Sequence, residues 1–95
     1  MTYKNYPAKA RDNALMGYVY NRTFHKCKNQ IGVRTAIKLM NHEALSITFI
    51  KKIHSYLSRA KVYVGDESKC GWISFQLWGG YDMLEWTERI LKKEK

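Results

Sequence analysis

From Ser46 to Ala60 the apolar residues fall along one side of a helix and fit no other regular structure. Phe49, Ile50, Ile53, Tyr56, Leu57 and Ala60 recur at the three- and four-residue spacing of an α-helix. Ser46 stands just ahead of them, where its hydroxyl can accept from a free backbone N–H of the first turn. Lys51, Lys52, Ser55 and Arg59 come out on roughly the opposite side. An apolar stripe backed by a cationic face must lay the stripe against something else, because an isolated helix of this length is marginal in water. The rest of the chain has to supply that surface.

Residues 71–78 (GWISFQLW) are the best source of it. The run is apolar throughout and too short for periodicity to decide between helix and strand. Gly79-Gly80 directly after it reads as a helix C-cap and favours helix. A last helix over 82–92, with Asp82 as N-cap, presents Met83, Trp86, Ile90 and Leu91 to the core. Glu85→Arg89 and Glu88→Lys92 form i,i+4 pairs on its outer side. Near the N-terminus, Pro7 suits a first helical turn, and Leu15, Met16, Val19 and Tyr20 predict a helix over 7–22, with Gly17 weakening it. Val33, Ala36, Ile37 and Met40 predict another over 33–41, broken by Asn41-His42-Glu43. Residues 1–6 read as a flexible arm, 23–32 as a basic loop and 61–70 as a turn-rich loop around Gly65-Asp66. Val62, Tyr63 and Val64 are β-prone and admit one short strand near 62–64. The expectation is a single all-α domain, a bundle of four to five short helices, with residues 71–91 as its core.

Charge then limits the partners. Residues 1–61 hold twelve Lys and Arg against two acids, Asp12 and Glu43, a net of +10, while residues 62–95 carry −1. The whole chain is +9 with a pI near 9.7, and 45% of its residues are hydrophobic, so it is no disordered basic tail. A field this lopsided attracts polyanions. The longest apolar stretch, Trp72–Trp78, is far shorter than a membrane span, and no signal-peptide pattern opens the chain. Two cysteines, Cys27 and Cys70, are too few for a disulfide framework, so the expectation is a soluble intracellular protein with reduced thiols.

The segment Gly32–Arg59 invites a helix-turn-helix reading, but its turn, NHEAL, lacks the usual glycine and is longer than usual. An ordinary helical hairpin with a solvated basic face suits it better. Phosphate binding needs only cations on a stiff element. Arg34, Lys38, Lys51, Lys52 and Arg59 meet that condition if the two helices pack side by side, and Arg22, Lys26 and Lys28 extend the patch. Tyr18, Tyr20 and Tyr56 are of the type that stacks on unpaired bases, although their places among helical apolar positions favour core packing. Trp72, Phe75, Trp78 and Trp86 are core by the same argument, with an interface as the alternative. His25, Cys27, His42, His54 and Cys70 include one close pair without a matching second pair, so no structural zinc site is expected. No nucleophile elbow, phosphate loop or HExxH occurs; Glu85 and Glu88 lie on a solvated face, and Asp66-Glu67 in a turn. Neither an enzyme nor a cofactor is expected.

Four stretches in order, PAKARDNALMGY (7–18), IGVRTAIKLMNHEALS (31–46), IKKIHSYLSRAKVY (50–63) and GWISFQLWGGYDMLEW (71–86), resemble a small bacteriophage domain. That domain occurs alone or fused to virion-assembly components such as prohead proteases. The Leu-Trp-Gly-Gly end of the fourth stretch, with a Trp-bearing helix after it, is the most telling part. The chain lacks the glycine- and lysine-rich insert that some relatives carry in the 61–70 loop. The resemblance implies an α-helical fold and a phage setting, in the host cytoplasm or the virion. It implies no catalytic or binding residue. The function expected is therefore a non-enzymatic accessory protein that grips nucleic acid, DNA or RNA, by its phosphates with little reading of sequence. The alternative is a protein–protein module, either a virion component or an inhibitor docking on an acidic host protein.

Overall fold

The computed structural model describes residues 2–24, 27, 30–63 and 70–93. Among them are five α-helices: α1 (Ala8–Phe24), α2 (Gln30–Met40), α3 (Ile47–Ala60), α4 (Cys70–Leu77) and α5 (Gly80–Lys93). Two two-residue strands, β1 (Thr2–Tyr3) and β2 (Leu45–Ser46), pair antiparallel with Thr2 opposite Ser46 and Tyr3 opposite Leu45. The all-α expectation holds.

The core forms where the sequence placed it. Ile50, Ile53 and Leu57 of α3 are fully buried, and so are Ile73, Phe75 and Leu77 of α4 and Met83 of α5. Trp78 and Trp86 are buried beside them, while Trp72 packs half-buried against the cluster. At Ser46 the backbone is extended and the side chain accepts from the Phe49 N–H at 3.1 Å, the cap expected from sequence. Gly79 and Gly80 both adopt positive φ, +108° and +67°, which lets the chain reverse between α4 and α5 in two residues. Asp82 does not cap α5, which starts at Gly80; it lies in the first turn, where its carboxylate accepts from Asn13 at 2.9 Å. The Asn13 amide also donates to the Gly79 carbonyl at 2.9 Å, so α1 is tied to the α4–α5 turn.

Several expectations are corrected. Residues 2–6 are not a free arm: β1 pairs with β2, Tyr6 is 3% exposed, and its hydroxyl donates to the Glu43 carbonyl at 2.7 Å. His42 Nε2 donates to the Lys4 carbonyl at 2.6 Å, fastening the same segment. Burial pushes the Tyr6 phenol up from 10.0 to about 12, against the opposing pull of Arg11 and with a smaller push from Glu43. The position near 62–63 is helical, a 3-10 turn over Lys61–Tyr63, and residue 64 lies outside the described residues, as does the Gly65-Asp66 turn. The break after α2 is a Schellman turn. His42 takes φ of +54°, its N–H bonds the Leu39 carbonyl, and the Glu43 N–H bonds the Lys38 carbonyl.

Helices α2 and α3 are not packed along one another as a hairpin. Helix α2 rests on α1 and α4, and α3 rests on α5. Between α2 and α3, after the turn at His42, the chain runs as β2 along β1 before α3 begins. The thiols are not reduced either, since Cys27 and Cys70 form a disulfide with Cα atoms 5.3 Å apart. Cys70 is exposed and Cys27 half-buried. The bond fastens residue 27, between α1 and α2, to the first residue of α4.

Candidate functional site

The cationic side of α3 and a cleft beside it form one continuous site. Lys52, Ser55, Tyr56 and Arg59 recur at i, i+3, i+4 and i+7 and share a face. Together with Ile31 of α2 and Trp78, they line a cleft of about 440 Å³, within the range of small-ligand sites. A second cleft of about 230 Å³ is lined by Tyr56, Arg59, Ala60 and Gly71. Tyr56 and Arg59 are common to both. Lys52 and Arg59 lie seven residues apart, so their Cα atoms are separated by about 10 Å along the helix axis.

The two aromatic walls brace each other. The Tyr56 ring is stacked on Trp78 with centroids 4.4 Å apart and planes 15° from parallel. Trp78 is 7% exposed, and its indole N–H has no acceptor among the described residues. An unsatisfied buried donor costs about 1–3 kcal/mol. Ile31 is the opposite case, an apolar side chain left 65% exposed at the cleft.

The sequence-predicted cations fall into three groups. Lys51, Lys52, Arg59 and Arg34 are exposed and make no ion pair among the described residues. Lys52 and Arg59 flank the cleft; Arg34 lies one helical turn beyond Ile31 on α2. Lys38 and Arg22 are engaged within the protein. The Lys38 ammonium lies 3.7 Å from the Glu43 carboxylate and 5.3 Å from the centre of the Phe49 ring. Arg22 donates to the Tyr18 hydroxyl at 3.1 Å and lies over the same ring. Lys26 and Lys28 lie outside the described residues. Ile31 belongs to no site that the sequence suggests, and Trp78 stands there as core, with an interface only as the alternative. An exposed isoleucine at a helix start is a signal readable in the sequence only once the burial of its neighbours is known.

One further constellation has the composition of a catalytic triad. Ser58 Oγ lies 3.4 Å and Glu88 Oε1 3.8 Å from His54. Both contacts fall on the same ring nitrogen, Nε2. A relay needs the nucleophile on one nitrogen and the carboxylate on the other, so this geometry links α3 to α5 and cannot relay a proton. Among the described residues no three potential metal ligands cluster, and no helix is long and apolar enough to cross a membrane. Set against models of protein families, curated proteins and solved structures, the chain matches none.

Proposed function

We propose that this chain is a non-enzymatic nucleic-acid-binding protein that grips phosphates through the outer face of α3, with Lys51, Lys52 and Arg59 at the centre and Arg34 at the flank. One observation carries the reading: four exposed cations on two rigid helices lack carboxylate partners among the described residues, and two of them flank a cleft. Cations held on stiff elements gain affinity by releasing counterions from the phosphate backbone, with no need to read sequence. The net charge of +9 adds long-range attraction. The bacteriophage setting rests on the sequence resemblance.

Titration with salt tests this reading. Binding of a labelled oligonucleotide, followed by anisotropy, should weaken linearly in log–log form, by roughly 0.7 per phosphate contact for a single strand and 0.9 for a duplex. Absence of binding to DNA and RNA at low salt would defeat it.

A second reading, a protein–protein module, draws on a different surface. Leu15 and Val19 of α1, one helical turn apart, are 48% and 49% exposed. Loss of a protein partner on Leu15→Glu with Val19→Glu, with nucleic-acid binding unaffected, would support it.

A further inference from the structure

We infer that the cleft beside α3 takes an unpaired nucleobase, so that the nucleic acid this protein prefers is single-stranded. The inference rests on the phosphate-binding reading above and goes beyond it.

Two features of the cleft argue for a base. The first is its mixed wall: Ile31, Tyr56 and Trp78 supply apolar and aromatic surface, while Lys52, Ser55 and Arg59 supply cations and a hydroxyl at its edge. A nucleotide has the same division, a flat apolar ring joined to an anionic phosphate. The second is Tyr56. Its stack on Trp78 fixes the ring, and it lines both clefts, so it offers an incoming base a held aromatic surface.

A duplex cannot use this surface, because its bases are paired and stacked on one another. A base enters such a cleft only from a single strand or after being turned out of the helix. The cations fit this arrangement. Lys52 and Arg59 are about 10 Å apart along the axis of α3, far enough to hold the backbone on both sides of one inserted nucleotide.

The test compares oligonucleotides of one length at one salt concentration: a single strand, the matching duplex, and a single strand whose bases are replaced by abasic sites. Stacking of one base predicts that the ordinary strand binds about 5- to 150-fold more tightly than the abasic strand. Tyr56→Leu should reduce that preference and leave abasic-strand binding unchanged; Ile31→Ser, at an exposed position, should weaken it without touching the core. Equal affinity for the ordinary and abasic strands would overturn the inference and leave phosphate binding standing. Tighter binding of duplex than of single strand would also overturn it. Failure of all three nucleic acids to bind at low salt would remove the inference together with the reading beneath it.

Discussion

The ring of Tyr56 on α3 lies flat against the indole of Trp78 at the end of α4, 4.4 Å between centroids. The contact joins the basic helix to the apolar block that forms the core. Trp78 is therefore both a core residue and a wall of the cleft. Trp78→Ala should cost about 3–5 kcal/mol of stability, as truncation of a buried aromatic does. Chemical denaturation checks this, and a near-neutral result would place the indole outside the core.

Gly17 sits where α1 crosses α4. A Cβ at this position would come within 2.7 Å of the Leu77 backbone nitrogen and 3.0 Å of the Ile73 carbonyl oxygen. Read from sequence alone, Gly17→Ala is a stabilising change of about 1 kcal/mol through helix propensity. The structure reverses the sign. Forcing a methyl against backbone costs about 1–3 kcal/mol in typical overpacked cores, so the midpoint of urea denaturation should fall.

The Cys27–Cys70 bond closes a loop across 43 residues of sequence. By loop-closure entropy such a bond stabilises the fold by up to about 4 kcal/mol. Cys27→Ser with Cys70→Ser should lower the denaturation midpoint accordingly, and reductant should lower that of the unmodified protein while leaving the variant unaffected. An unchanged midpoint in both experiments would show that the bond adds nothing to stability.

Tyr6 gives the fold a pH dependence at the alkaline end. Below pH 10 its phenol is neutral in both folded and unfolded chains, and the full stabilisation is present. Between 10.0 and about 12 the unfolded phenol ionises first, so unfolding is favoured as pH rises. Tyr6→Phe should lose about 0.5–1.5 kcal/mol at neutral pH with the hydrogen bond to Glu43. It should also remove this part of the alkaline loss. Melting curves between pH 8 and pH 11 measure both effects.

Local pattern made much of this fold readable. The stripe from Phe49 to Ala60 and its Ser46 cap, the reversal at Gly79-Gly80 and the pairing of Glu85 with Arg89 at 2.6 Å all depend on residues within a few positions of each other. What escaped the sequence depends on distant partners. Tyr6 finds Glu43, Asn13 finds Gly79, and Cys27 finds Cys70, each across more than thirty residues. Gly17 looked like a flaw in its helix because the helix it admits, α4, lies far along the chain. The candidate site divides the same way. The spacing of Lys52 and Arg59 on α3 could be seen in advance, whereas the arrival of Ile31 and Trp78 beside them is a product of packing.

The central claim is that the exposed cations beside the α3 cleft hold phosphates, and charge reversal tests it most directly. Lys52→Glu with Arg59→Glu changes two exposed side chains, so circular dichroism and the melting temperature should stay near those of the unmodified protein. Affinity for a single-stranded oligonucleotide should fall by at least about tenfold, and the salt dependence should flatten by about 1.4, the share of two phosphate contacts. Undiminished binding with an unchanged salt slope in a folded double variant would contradict the account.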